Sequence, residues 1–333
     1  MHMFEAALGK KKPLVDREII VLAVVLLFLP FVLPYKSLTA EILIYALGAV
    51  AFNILLGYTG MLSFGQGALF GTGAYMTGLL LIHMRLHPLL ALLGACIIGA
   101  GTAYVIGFFS IRQVGIYFVM LTLAFNQLVF FIVYQWKGLT GGDDGLLEVP
   151  RPDVSLLPGV EIPIQTNLQF FIFAWVIFML SIIVIRRILN SSFGRVLIAI
   201  KENPERAAAI GYNIQHYKLA AFVVSGFFTG LAGGLYALFM RMVPITAVEL
   251  FTSTDFIIMS LLGGLGSLYG PIAGAVIIKI ASEIVSEIWA RWLLVMGVTF
   301  IVCILFMPGG IWGLVTSILE KRKADSMQPT RSQ

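Results

Sequence analysis

Few side chains in this sequence could do chemistry, and where they fall is the first clue. Glu41, Lys279, Glu283 and Glu287 sit inside long apolar runs, where charge is costly and needs a reason. Lys279 and Glu283 stand four apart on what would be one helix, the spacing of a simple ion pair, and a structural role is the preferred reading for all of them. Ser63, Gln66 and Ser267 are polar but uncharged, each set in a glycine-rich stretch. Nothing resembles a catalytic set. The sequence has no Gly-x-x-x-x-Gly-Lys-Ser/Thr loop, so ATP would have to be bound by another polypeptide, and it has no His-Glu-x-x-His pair. The four histidines, His2, His83, His87 and His216, lie at the terminus or between apolar runs and read as solvated surface. Cys96 and Cys303 lie within apolar runs, which excludes a disulfide framework or a zinc site. No enzyme activity, metal or cofactor is expected.

The elements that must position these residues are membrane helices. Of 333 residues, 59% are hydrophobic and 12% charged, about half the charged share of a soluble domain. Roughly 20 apolar residues cross a bilayer. By that ruler spans fall near 18–34, 38–57, 63–82, 88–110, 114–135, 169–189, 218–240, 254–266, 271–289 and 292–308. The expected fold class is therefore all-α, a polytopic membrane protein of about ten helices in one domain, 1–333. A retained first helix fits better than a cleaved signal, because the run from Ile19 to Leu33 is long and no small-x-small site follows it. Fifteen of the 22 basic residues fall on one side if the N-terminus is cytoplasmic: Lys10, Lys11, Lys12, Arg17, Arg112, Arg186, Arg187, Arg195, Lys201, Arg206, Lys218, Lys321, Arg322, Lys323 and Arg331. Both termini are then cytoplasmic, the loop 136–168 is extracytoplasmic, and the loop 190–217 and tail 309–333 are cytoplasmic. The net charge of +5 comes from scattered clusters without interleaved aromatics, so nucleic acid is not an expected partner.

Two stretches stay apolar while breaking the helical pattern. The first runs from Gly57 to Gly73, Gly-Tyr-Thr-Gly-Met-Leu-Ser-Phe-Gly-Gln-Gly-Ala-Leu-Phe-Gly-Thr-Gly; the second runs from Gly263 to Gly274. At membrane depth, non-helical backbone is tolerated only inside protein or along a water-filled cavity, and one break in each half of the chain points to a translocation pathway. Ser63, Gln66 and Gly67, with Gly264, Gly266 and Ser267 opposite, are the candidate pathway residues. The plainer alternative is helix packing, given small residues spaced by four at Gly67/Gly71, Gly226/Gly230/Gly234 and Gly266/Gly270/Gly274. For 226–234 packing is the better reading; for the two breaks both stay open.

Between the sixth and seventh spans the sequence encodes a short capped helix. Asn203 is a good N-cap, Pro204 suits the first helical position, Glu205 favours the positive end of the dipole, and Gly211 can close the helix in a left-handed conformation. About two turns are not stable alone in water, so this helix must dock on the membrane domain or on a partner.

These motifs, in this order, resemble the LivM-type permease subunits of ABC importers for branched-chain and other hydrophobic amino acids. The resemblance is carried by Gly57 to Ala68; by Gly115-Ile-Tyr-Phe-Val-Met-Leu-Thr-Leu-Ala-Phe125 with Leu139-Thr-Gly-Gly-Asp-Asp-Gly145; by Phe193-Gly-Arg195 through Glu205-Arg-Ala-Ala-Ala-Ile-Gly211 to Gly230-Leu-Ala-Gly-Gly-Leu-Tyr-Ala237; and by Leu262 to Gly274. It implies a non-enzymatic pore subunit in a bacterial inner membrane. The implied partners are a second, LivH-type permease, two ATP-binding subunits and an extracytoplasmic substrate-binding protein. It also implies that the loop containing Gly194, Arg195, Asn203, Glu205, Arg206, Ala207, Ala208 and Gly211 couples the ATPase to the membrane helices. A urea or short-amide permease of the same family, or an ion-gradient-driven transporter, are the alternatives.

Overall fold

The computed structural model describes residues 17–32, 35–157 and 160–288, with the isolated residues Leu294 and Gly297. A helix stands at every expected span from 18–34 to 271–289. Helix α1 is Arg17–Val32, α2 Lys36–Thr59, α3 Gln66–His83, α4 Pro88–Ser110 and α5 Ile116–Gln135. A single turn, α6 (Lys137–Thr140), leads into the 136–168 segment, and α7 is Asn167–Asn190. Two short helices follow, α8 (Ser192–Glu202) and α9 (Pro204–Ala209), then α10 (Ile214–Met240), α11 (Leu250–Gly263) and α12 (Gly270–Ile288). By length and composition, α2, α4, α5, α7 and α10 can each cross a membrane; α1 and α11 contain shorter apolar stretches. The span at 292–308, the 309–333 tail and the N-terminal lysines lie outside the described residues, apart from Leu294 and Gly297.

The all-α expectation is modified at one place. Within the 136–168 segment, β1 (Val154–Leu157) and β2 (Val160–Ile162) form an antiparallel hairpin, with Val154 paired to Ile162 and Ser155 to Glu161. The rest of that segment is anchored by backbone pairing of Leu146 with Val243, 2.9 and 2.8 Å in the two directions.

Helix α10 is the hub, packed on α4, α3 and α2, while α11 and α12 pair and close against α2. The approach of α3 and α4 to α10 depends on glycine. A Cβ on Gly73 would run into the backbone of Gly230, and one on Gly99 would stand 2.9 Å from the Gly230 Cα. The expected packing role of Gly226, Gly230 and Gly234 is thus what the helices show: these positions let three backbones converge. The core is aromatic where α2, α3, α10 and α11 meet, with Tyr45, Phe70, Tyr236 and Phe256 in mutual ring contact. Lys279 does not pair with Glu283 four residues on. Its Nζ reaches Glu41 Oε1 at 2.7 Å and lies over the Tyr45 ring at 3.3 Å, because packing turns that side of α12 toward α2. Glu287 accepts from the Tyr35 hydroxyl at 2.9 Å.

Candidate functional site

The first break exposes the problem of any helix that begins inside a bundle, since its leading N–H groups have no partner within the helix. Helix α2 ends at Gly60, whose φ of 74° is left-handed, and α3 begins at Gln66. Side chains from two other helices satisfy the start of α3. The Gly67 N–H donates to Ser253 Oγ at 2.6 Å and the Ala68 N–H to Asn126 Oδ1 at 2.7 Å. Ser253 in turn donates to the Phe64 carbonyl, and the Phe64 N–H donates to Thr122. Ser63 is fully buried, its Oγ accepting from the Gly65 N–H at 3.2 Å. Gln66 is fully buried as well, donating to Ser225 Oγ at 3.2 Å and accepting from Thr229 at 2.8 Å, while Ser225 donates to the Ala51 carbonyl. A Cβ at Gly67 would stand 3.0 Å from Ser253 Oγ and 3.1 Å from Asn126 Oδ1, so the glycine leaves room for these caps.

The second break is a turn from Gly264 to Tyr269 that also leans on α2. Asn53 reads it from both sides, accepting from the Gly266 N–H at 3.3 Å and donating to the Ser267 carbonyl at 2.8 Å. Ser267 Oγ accepts from the Gly270 N–H at 2.9 Å and so caps α12. Gly264 is buried, Gly266 is exposed and Ser267 is half-buried. Both breaks are therefore tied to α2, through Ala51 and through Asn53, and no hydrogen bond among the described residues joins 63–67 directly to 264–267.

The segment expected as a loop at 190–217 is largely helical. Ser191 caps α8, and apolar Val196, Leu197 and Ile200 line its buried face. Gly194 allows α8 to begin tightly against α7, since a Cβ there would collide with the Leu189 carbonyl. Arg195 is exposed, with one Nη donating to Ser192. Asn203 is the N-cap expected for α9, accepting from the Arg206 N–H at 2.9 Å, with Pro204 at the first position. Gly211 has the expected positive φ, 96°, and the chain reverses there, the Tyr212 N–H donating to the Ala207 carbonyl at 3.2 Å. Ala207 alone of α9 is buried, against Val196 and Ile200. Glu205, Arg206, Ala208 and Ile210 are exposed.

Several residues that matter here were not singled out from the sequence. Lys201, on α8, donates from Nζ to the Gly57 carbonyl at 2.8 Å, and Gly57 O lies 3.6 Å from where a Cβ of Gly266 would stand. The 190–217 segment is thereby joined to the end of α2 and to the second break. Thr122 with Asn126, and Ser225 with Thr229, are polar pairs at a spacing of four inside apolar helices, a readable sign that each pair faces a polar partner. Arg151 is buried in the 136–168 segment at 6% exposure, with Nε on the Leu238 carbonyl at 2.8 Å and Nη2 on the Phe239 carbonyl at 2.7 Å. Burial, and then the Arg241 charge, lower its pKa to about 10, so it stays protonated at neutral pH.

No solved structure matches the chain. The high-affinity branched-chain amino acid transport system permease protein LivM of Salmonella typhimurium is 26% identical over 287 residues, 81% of this chain and 68% of that protein. A probable branched-chain amino acid transport permease protein LivM of Methanocaldococcus jannaschii is 26% identical over 79% of this chain and 81% of its own length. The same organism's probable LivH is 28% identical over 43% of this chain and 48% of that protein. The model of the branched-chain amino acid transport system permease component matches residues 35–307, the stretch that contains both breaks and the 190–217 helices, and the chain belongs to that family.

Proposed function

We propose that this chain forms half of the pore of an ABC importer for branched-chain or other hydrophobic amino acids, in a bacterial inner membrane with both termini cytoplasmic. A second, LivH-type permease completes the pore, and an extracytoplasmic binding protein delivers substrate on the 136–168 side. Two ATP-binding subunits dock beneath the helices α8 and α9. The observation that carries this reading is the form of α9. It is held from behind by one buried alanine, Ala207, while Ile210 remains 72% exposed and Ala208 leaves room for close approach. Such a helix fits a groove on another protein. Closure of the ATPase would move α9 and α8 together, and Lys201 would pass that motion to Gly57 and the turn at Gly266.

In a preparation of the chain alone in liposomes, no uptake of leucine-like substrate is expected. Uptake is expected once the second permease, the ATP-binding subunits and the binding protein are co-reconstituted and ATP is supplied. Gradient-driven uptake by the isolated chain would overturn the proposal in favour of a secondary transporter.

The pathway, in the same reading, passes the turn at Gly264, Gly266 and Ser267, while Ser63, Gln66 and Gly67 form the layer behind it. With Cys96 and Cys303 replaced by alanine, Ser267→Cys should react with a small polar thiol reagent faster than Ser63→Cys. Equal rates at the two positions would contradict that division.

A further inference from the structure

Helices α4 and α10 touch backbone to backbone at Gly99 and Gly230 and meet again where Gly107 admits Leu219, a Cβ there standing 2.9 Å from Leu219 Cδ1. Beside that last contact they leave a surface cleft of about 100 Å³. Its floor and walls are Gly107, Phe108, Ile111 and Leu219, and its polar rim is Arg112, Gln215 and His216. No carboxylate lines it. Arg112 lies 4.9 Å over the Phe108 ring and has no carboxylate partner among the described residues, unlike Arg186 with Glu18 or Lys279 with Glu41. The cleft also opens at the first turn of the 27-residue α10, whose N-terminus carries partial positive charge. Tyr104 and Phe109 on α4 touch the Phe108 ring and are exposed, as are Val105 on α4 and Ile116 and Tyr117 on α5. A cation at the end of an apolar, aromatic-edged helix face is where a membrane interface places a phosphate.

We propose that this cleft binds the phosphate headgroup of an anionic phospholipid, with Arg112 as its charge partner, Gln215 and His216 as polar contacts, and the acyl chains running down the exposed face of α4. The cleft has the features such a ligand needs together: a guanidinium with no carboxylate partner among the described residues, a polar rim free of acid, and exposed apolar side chains of α4 beside it. A soluble anion would use the rim but would have no use for that surface. Gln215 and His216 are the last part of the 190–217 segment that holds α9, so a bound lipid would fix the base of that segment to the bilayer. The site does not depend on what the permease carries.

The test is lipid enrichment around the full-length chain in nanodiscs made from equal amounts of phosphatidylcholine and phosphatidylglycerol, read by native mass spectrometry. Phosphatidylglycerol should be retained preferentially. Arg112→Gln should reduce that preference about fivefold, the factor corresponding to about 1 kcal/mol for one basic residue at a membrane surface, and Arg112→Lys should keep most of it. Arg85→Gln, which removes an exposed charge away from the cleft, should leave it unchanged. If Arg112→Gln does not accumulate, Gln215→Glu places a carboxylate in the rim and should lower the preference instead. An unchanged preference in the cleft variants, an equal loss in Arg85→Gln, or displacement of the lipid by inorganic phosphate would each overturn the proposal.

Discussion

Arg151→Leu is expected to destabilise the protein by about 3 kcal/mol or more, because it leaves several buried carbonyls without a donor, each worth about 1–3 kcal/mol. Arg151 donates to the carbonyls of Leu238, Phe239 and Ile164, at 2.8, 2.7 and 3.3 Å, and its guanidinium carbon lies 4.3 Å over the Phe170 ring. Two of those carbonyls belong to the last turn of α10, where helix carbonyls have no intrahelical donor and the macrodipole is negative. The charge is thus balanced by a helix end, with no carboxylate partner among the described residues. Leucine would fill part of the volume but none of the hydrogen bonds. Lysine would keep the charge but cannot fork to three acceptors, so Arg151→Lys should fall between the two. Thermal unfolding of the detergent-solubilised protein should show a midpoint lowered by several degrees for Arg151→Leu. An unchanged midpoint would mean that water already serves these carbonyls.

Helix positions were legible in the sequence wherever an apolar run was long, because the bilayer sets the length and the run itself supplies the signal. The glycine roles were only half legible. Spacing by four identified Gly226 and Gly230 as contact positions, but it could not say that Gly73 and Gly99 meet the same residue from two sides. At the first break, Ser63 and Gln66 are polar for a reason spacing could not separate from a pathway. Ser63 accepts from the backbone N–H of Gly65 just before α3, and Gln66 ties the start of α3 to Ser225 and Thr229 on α10 through its side chain. The lysine–glutamate spacing at 279 and 283 was misleading for a similar cause: tertiary packing, which faces Lys279 to α2, outweighs a local pair worth a few tenths of a kcal/mol.

On α8 the periodic signal was present at Phe193, Val196, Leu197 and Ile200, yet the polar start Asn190-Ser-Ser and Gly194 made the stretch read as loop. The caps of α9 were fully readable, because capping is a local interaction between neighbours in sequence. Lys201 was not, because its acceptor, the Gly57 carbonyl, is 144 residues away.

The most direct test of the account lies at Gly211. Its φ of 96° is one that L side chains rarely adopt, while nothing stands within 4 Å of where its Cβ would be. A substitution there acts through the backbone alone. Valine should strain the reversal in which Tyr212 returns to the Ala207 carbonyl and meets the Tyr217 ring edge-on, and so distort the exposed end of α9 without disturbing the bundle. A left-handed conformation costs a side-chain-bearing residue about 1–2 kcal/mol, and docking that requires it should weaken about tenfold. The measurement is uptake and substrate-stimulated ATP hydrolysis, followed together in proteoliposomes containing Gly211→Val in the complete importer. If α9 couples the two, membrane insertion stays normal while uptake and stimulated hydrolysis fall in parallel. Normal stimulation of hydrolysis with uptake lost, or both rates unchanged, would contradict the account.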